Sequence, residues 1–102
     1  MNIQVIADWV VSNFCSYSTH INTIGIFGSV ARFSKRPNDC DLLIVAVADV
    51  ESEPWLFLRQ HISSMKIDFL EKFGLPLNVT LLTVGEWNEN RLFFRDLLQI
   101  EI

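Results

Sequence analysis

Residues 21–48 read INTIGIFGSVARFSKRPNDCDLLIVAVA, and this stretch decides the fold. Its opening residues are largely β-branched and aromatic until Gly28-Ser29 interrupts them, which predicts a strand followed by a tight turn. Residues 40–48 are almost continuously apolar, which is typical of a central strand buried on both faces. Between the two strands we expect a short helix over residues 30–33 and an exposed basic loop over residues 34–38.

Helical periodicity precedes and follows this stretch. Apolar residues at steps of three and four predict an amphipathic helix over residues 3–14, followed by a polar connection over residues 16–20. A longer helix is predicted from about Pro54, which the first turn tolerates, to Phe73, where Gly74 is placed to end it.

The C-terminal part of the sequence predicts one more strand and one more helix. Residues 77–82 have the character of a third strand. Thr83 and Glu86 have the spacing of a capping box, so a last helix is expected from there to about Gln99. The predicted order is helix, strand, short helix, strand, helix, strand, helix, which is an α/β (α+β) arrangement.

Length and composition limit the classes of function. The chain has 102 residues, which predicts a single domain over residues 1–102. Half of the residues are apolar, which excludes global disorder. Eight basic against twelve acidic residues give a formal charge of −4, so non-specific binding to nucleic acid is not expected.

The sequence gives few signs of targeting, membrane insertion or disulfide bonding. The N-terminal residues lack the basic region of a signal peptide, and no apolar run approaches the roughly 20 residues that a membrane span needs. Two cysteines are too few for a disulfide framework. We therefore expect a cytoplasmic protein without a membrane association.

Two aspartates at the start of the second predicted strand carry the clearest chemical signal. Residues two apart on a strand share a face, so Asp39 and Asp41 are expected to present two neighbouring carboxylates while Cys40 turns into the core. Such carboxylates repel each other unless a cation lies between them, and Mg²⁺ is satisfied by one or two carboxylates plus phosphate oxygens. Asp39 and Asp41 are therefore candidate metal-binding and catalytic residues.

The turn before the acidic pair adds groups that suit phosphate. Gly28 lets the backbone approach a ligand closely, and Ser29 offers a hydroxyl at the start of a predicted helix. Arg32 and Lys35, with Arg36 beside them, are candidate contacts of a triphosphate. The combination predicts a site for a metal-bound nucleoside triphosphate.

These residues resemble a known signature. Gly28-Ser29 and Asp39-Cys40-Asp41, which runs into an apolar strand, are similar to the motif of the minimal nucleotidyltransferases, within the DNA polymerase β-like nucleotidyltransferase superfamily. The resemblance implies a mixed sheet of three or more strands flanked by helices. It also implies that Asp39 and Asp41 hold Mg²⁺ or Mn²⁺, and that a nucleotidyl group passes from a nucleoside triphosphate to an acceptor hydroxyl.

One position departs from that pattern. The family places a third carboxylate on the next strand, where it completes a two-metal site and helps to deprotonate the acceptor. Counting back from Thr83 and Glu86 puts Asn78 at this position. A neutral amide cannot accept a proton, so nucleotide binding is better supported by the sequence than turnover.

Two other functions stay open. Minimal nucleotidyltransferases are often antitoxins of small helical HEPN-type toxins, and a catalytically weakened member could act as such an interaction module. The apolar residues from Leu92 to Ile100 would surround the last predicted helix, which favours such a partner or a homodimer at this helix. The other alternative is a nucleotide sensor that binds triphosphate without an acceptor.

Overall fold

A computed structural model describes residues 2–33 and 35–102 of the chain. The elements, in chain order, are α1 (Ile3–Phe14), a 3-10 helix (Cys15–His20), β1 (Ile21–Phe27), α2 (Gly28–Ala31), β2 (Cys40–Ala46), α3 (Glu53–Phe73), β3 (Leu77–Thr83), α4 (Val84–Asn90), a second 3-10 helix (Arg91–Phe94) and β4 (Leu98–Gln99). The predicted α/β (α+β) class is confirmed.

The four strands form one mixed sheet in the order β3-β2-β1-β4. β2 and β3 run parallel, whereas β1 runs antiparallel to both of its neighbours, β2 and β4. The two central strands, β1 and β2, pair from Ile21 opposite Ala46 to Phe27 opposite Asp41, with a register irregularity between Ile21 and Thr23. The predicted mixed sheet of three or more strands is therefore confirmed.

The larger core lies between one face of the sheet and the helices α1 and α3. Trp9 of α1 packs edge-on against Phe69 of α3, with their ring centres 5.1 Å apart. The largest fully buried side chains on this face are Ile6, Val10, Phe14, Ile24, Ile26, Leu42, Ile44, Leu58 and Phe69. None of the helices within residues 2–33 and 35–102 has both the length and the apolar character that crossing a membrane requires.

A smaller core covers part of the other face of the sheet. Leu43 and Val45 of β2 lie under Trp87 of α4, and Phe27 and Phe94 pack against this cluster. β2 is therefore buried on both faces, as its continuous apolar sequence predicts.

Several predicted element ends are confirmed at the level of hydrogen bonds. The side chain of Asn2 accepts a hydrogen bond from the Gln4 N–H at 2.9 Å and caps α1. Thr83 and Glu86 form the reciprocal capping box of α4. Gly74 ends α3 with a φ of 65°, in the left-handed region that glycine enters without a Cβ penalty.

Three predicted boundaries shift by a few residues. Residues 16–20 belong to a 3-10 helix instead of an irregular connection. The short helix begins at Gly28 instead of residue 30, because Gly28 leaves the strand with a φ of 74°. β2 ends at Ala46 instead of residue 48, since Ala46 pairs with Ile21 and β1 does not extend further.

The prediction of a last helix up to Gln99 is wrong. α4 ends at Asn90, and the chain then turns back so that Leu98 and Gln99 pair with β1. The Ile100 N–H donates to the Ile24 carbonyl at 2.8 Å, which satisfies backbone groups at the outer edge of β1. Gly25 allows this pairing, because a Cβ there would lie 2.7 Å from the Leu98 carbonyl oxygen.

Candidate functional site

The candidate site lies at the end of the sheet where β1 ends and where β2 and β3 begin. Phe27, the last residue of β1, is opposite Asp41 of β2, and Asp41 is in turn opposite Asn78 of β3. Because Gly28-Ser29 follows Phe27 directly, the strand register gathers the Gly-Ser turn, the acidic residues and Asn78 at one edge.

Gly28 and Asp41 are in close contact. A Cβ built on Gly28 would lie 2.3 Å from the Oδ2 atom of Asp41, and the backbone there has a φ of 74°. Both facts require glycine, because a side chain would collide with the carboxylate and would also strain the backbone. The sequence analysis assigned Gly28 to close approach of a ligand, whereas the structure shows close approach of the Asp41 carboxylate.

The acidic pair is joined to Asn78 by a hydrogen bond. Asp39 precedes β2, and its Oδ2 atom accepts a hydrogen bond from the side-chain amide of Asn78 at 2.7 Å. The interaction bridges the β2 and β3 sides of the site. Cys40, between the two aspartates, points into the core and is fully buried, as predicted.

Electrostatics at this edge disfavour a second negative charge. Burial raises the pKa of the Asp41 carboxyl, and the nearby charge of Asp39 raises it further. The amide of Asn78 and the positive charge of Arg32 act in the opposite direction. The charge of Asp39 therefore disfavours the ionised form of Asp41, which a bound cation would relieve.

The Cys40 thiol is not a functional group of this site. Burial raises its pKa to about 12, and the charges of Asp41 and Asp39 add to the effect. A thiol that stays protonated at neutral pH is a poor nucleophile and a poor metal ligand. The site therefore offers oxygen donors from Asp39, Asp41 and Asn78.

That donor set fits a hard divalent cation in number and in type. Mg²⁺ in phosphate-handling sites takes one or two carboxylates and completes its coordination with phosphate oxygens and water. Across residues 2–33 and 35–102, no three or more His, Cys, Asp or Glu side chains are arranged so that they alone could hold a metal ion. This agrees with the amide of Asn78 occupying the position at which the sequence analysis looked for a third carboxylate.

The predicted phosphate contacts differ in their positions. Ser29 is the second residue of α2 and partly buried. Since α2 is a single turn of four residues, it contributes little of the dipole that a longer helix would direct at an anion. Arg32 is exposed and forms an ion pair with Asp96 at 3.0 Å, and Lys35 lies exposed in the following loop.

Asp96 is the residue near this site that the sequence did not reveal. The predicted last helix would have carried it away from Arg32, whereas the observed return of the chain to β1 brings the two together. Only the long-range pairing of β1 with β4 determines this contact, and no local motif signals it.

An apolar cleft lies elsewhere in the described part of the chain. It encloses about 340 Å³ and is lined by Tyr17, His20, Glu53, Pro54 and Phe57, at the opposite end of β1 and β2. It contains neither the acidic pair nor the Gly-Ser turn. The candidate site is therefore the open end of the sheet and not this cleft.

Comparison with known proteins supports the architecture. The sequence matches no protein-family model and no curated protein. Among solved structures, it is similar to the crystal structure of a "putative nucleotidyltransferase" from Sulfolobus solfataricus, with a TM-score of 0.55 and 18% identity. The match covers 91% of this chain and 74% of that one. The chain thus has a nucleotidyltransferase-like fold, a mixed four-stranded sheet flanked by helices.

Proposed function

We propose that the chain binds a nucleoside triphosphate together with Mg²⁺ or Mn²⁺ at Gly28, Ser29, Asp39 and Asp41. The observation that carries this proposal is the strand register, which brings the Gly-Ser turn and the acidic residues to one end of the sheet. The nucleotidyltransferase-like fold supports the same class of ligand.

Each residue of the proposed site has a distinct task. Asp39 and Asp41 would hold the cation, which when bound neutralises negative charge on the phosphates. Gly28 keeps the turn open beside Asp41, and the Ser29 hydroxyl can donate a hydrogen bond to a phosphate oxygen. Arg32 and Lys35 supply positive charge on the solvent side of the turn.

Asn78 limits what the site can do after binding. Nucleotidyl transfer forms a bond between an acceptor oxygen and the α-phosphorus, breaks the α–β phosphoanhydride bond, and requires the acceptor proton to leave. The Asn78 amide cannot take that proton, and general-base assistance is worth about 10²- to 10⁴-fold in rate. We therefore expect tight binding of the nucleotide to be retained and transfer to be slow.

The experiment measures the melting temperature with each nucleoside triphosphate, with and without Mg²⁺. A ligand at about 100 times its Kd stabilises the native state by about 2.7 kcal/mol, which raises the melting temperature of a domain of this size by roughly 10 °C or more. The control is the Asp39→Asn/Asp41→Asn variant, which keeps the side-chain shapes and removes both charges. A Mg²⁺-dependent increase that the variant lacks is expected, and no increase with any nucleotide would overturn the proposal.

An interaction role is the second candidate function. The observation that favours it is the exposure of Leu92 and Phe93, at 77% and 82%, in the second 3-10 helix. These side chains are an apolar surface for a HEPN-type helical protein or for a second copy of the chain. This surface replaces the C-terminal helix that the sequence analysis assigned to a partner.

Sedimentation equilibrium and co-expression test the second candidate. A homodimer at this surface is expected to dissociate in the Leu92→Ser/Phe93→Ser variant, and a HEPN-type partner is expected to co-purify with the original chain only. A monomer that binds no HEPN-type protein would overturn it. If nucleotide binds but no acceptor is ever modified, the sensor alternative is favoured instead.

A further inference from the structure

The ion pair between Arg32 and Asp96 lies beside the proposed phosphate site. The Nη1 atom of Arg32 is 3.0 Å from the Oδ2 atom of Asp96, and it is the only ion pair formed by the residues that the structure describes. The backbone N–H of Arg32 donates to the Gly28 carbonyl at 3.1 Å. The base of this side chain is thus fixed to the Gly-Ser turn.

The position of Asp96 is fixed by its neighbours in the chain. Phe94 packs edge-on against Phe27, with ring centres 5.0 Å apart, and Phe27 is the residue just before Gly28. The Leu97 N–H donates to the Phe94 carbonyl at 3.0 Å, and the Leu97 side chain lies over Gly25. Asp96 is therefore held at this end of the sheet by packing on both sides, and is not part of a loose tail.

We propose that Asp96 competes with the phosphates of a bound nucleotide for Arg32, so that residues 94–99 lower the affinity of the site for polyphosphate ligands. This inference rests on the proposed function. A carboxylate in contact with the guanidinium cancels much of its charge, so that less positive charge is left for the incoming phosphates.

The charge of the ligand determines the size of the effect. The attraction between Arg32 and the ligand grows with the number of charges on the ligand, so neutralising Arg32 penalises a triphosphate more than a monophosphate and leaves an uncharged nucleoside unaffected. Both partners are largely exposed, with 61% and 53% of their side chains accessible. Exposed pairs of this kind change an affinity by about fivefold at most.

The experiment compares the original chain with Asp96→Asn, which keeps the shape of the side chain and removes its charge. Calorimetric titration with adenosine and with its mono-, di- and triphosphate, in Mg²⁺ and low salt, gives the four Kd values for each protein. We expect Asp96→Asn to bind the triphosphate about two- to fivefold more tightly, the diphosphate less so, and adenosine equally. The gain is expected to disappear at about 1 M salt, where the screening length is about 3 Å.

Two further variants show whether the effect passes through Arg32. Asp68→Asn removes the same charge from the exposed surface of α3, on the opposite face of the sheet, and is expected to leave all four Kd values unchanged. In an Arg32→Gln background, the addition of Asp96→Asn is expected to give no gain, because the contested group is absent.

The outcomes separate this inference from the function on which it rests. Triphosphate binding that is equal in the original chain and in Asp96→Asn, or weaker in the variant, overturns the inference alone; weaker binding would mean that Asp96 orients Arg32. A gain that persists without Arg32 also overturns it. Failure of both proteins to bind any phosphate in Mg²⁺ overturns the proposed function, and this inference with it.

Discussion

The backbone of Gly28 lies so close to Asp41 that a methyl group on residue 28 would stand 2.3 Å from the carboxylate oxygen Oδ2. Real Cβ atoms essentially never have another non-bonded heavy atom within 3.0 Å. The turn after β1 and the first residues of β2 therefore fit each other only if residue 28 has no side chain. Because the register of β1 and β2 sets this contact, the fold determines where the Asp41 carboxylate lies relative to the turn.

Gly28→Ala is expected to destabilise the protein more than a matched change at Gly74. Both glycines have a positive φ, 74° and 65°, so each alanine carries a backbone cost of about 1–2 kcal/mol. Only Gly28 has a neighbour in the way, since no atom lies within 4 Å of a Cβ at Gly74. Urea unfolding of both variants measures the difference.

The carboxylate itself provides the control for the Gly28 prediction. If the clash with Asp41 causes the additional loss, Gly28→Ala is expected to cost less stability in an Asp41→Ala background than in the original chain. Equal losses at Gly28 and Gly74, with no coupling to Asp41, would contradict the contact.

Asp41→Asn is expected to stabilise the fold at neutral pH. Burial raises the pKa of the Asp41 carboxyl above 3.8, and the charge of Asp39 adds to the increase. The unfolded chain therefore ionises this group at a lower pH than the folded chain does. The contribution of Asp41 to stability is complete below pH 3.8 and is lost as the pH rises through the folded pKa.

Melting temperatures at neutral pH and at about pH 3 check the sign of this effect. We expect Asp41→Asn to melt above the original chain at neutral pH, and the difference to shrink in acid, where both side chains are uncharged. Asp68→Asn, on the exposed surface of α3, is the control for a general effect of charge. A variant that melts lower at neutral pH would contradict the repulsion between Asp39 and Asp41.

The parts of the fold that local sequence determines were predictable. Gly74 ends α3, Thr83 and Glu86 cap α4, and the apolar run of β2 is buried on both faces. The resemblance to the nucleotidyltransferase motif implied that Asn78 lies beside the acidic pair, and the parallel register of β2 and β3 places it opposite Asp41.

The parts that depend on long-range pairing were not predictable. β4 is only two residues long, too short for an alternating pattern to show, and the apolar residues around it equally suit a helix. Its pairing with Gly25 decides where the C-terminal segment goes, and hence that Asp96 reaches Arg32. The close approach of Gly28 to Asp41 likewise needs the register of β1 and β2.

Gly25→Ala is expected to weaken the pairing of β4 with β1. A Cβ at this position would lie 2.7 Å from both the Leu98 carbonyl oxygen and the Leu97 side chain. Overpacking of this kind costs about 1–3 kcal/mol. We expect faster amide exchange at Ile100, whose N–H donates to the Ile24 carbonyl.

Gly85 supplies the control for the Gly25 prediction. It lies in α4, and a Cβ there would meet only the Thr83 hydroxyl at 3.9 Å. Gly85→Ala is therefore expected to stabilise the chain by about 0.5–1 kcal/mol through the lower helix propensity of glycine. Unchanged amide exchange at Ile100 in Gly25→Ala would contradict the close pairing of β4 with β1 at Gly25.

Alkylation of the native protein is expected to modify Cys15 and spare Cys40. Cys15 is exposed, whereas Cys40 is fully buried, and burial raises the pKa of its thiol to about 12. The reactive species is the thiolate, which Cys40 does not form in the folded chain at neutral pH. Mass spectrometry after iodoacetamide treatment should find one modified cysteine in the native chain and both in denaturant, and rapid native labelling of Cys40 would contradict its burial.

Asn78→Asp is expected to make the fold dependent on a divalent cation. The variant loses the amide that donates to Asp39 at 2.7 Å and places a third carboxylate beside Asp39 and Asp41. Without a cation the three charges repel, so the melting temperature should fall. With Mg²⁺ the melting temperature should recover, and it should rise more steeply with Mg²⁺ concentration than in the original chain.

Asn88→Asp, at an exposed position in α4, is the control for an added charge. Thermal melts across a Mg²⁺ series measure the effect, and transfer of label from a nucleoside triphosphate to an acceptor hydroxyl is then expected to increase. A melting temperature that is insensitive to Mg²⁺ in both the original chain and Asn78→Asp would contradict a cation site at this edge of the sheet.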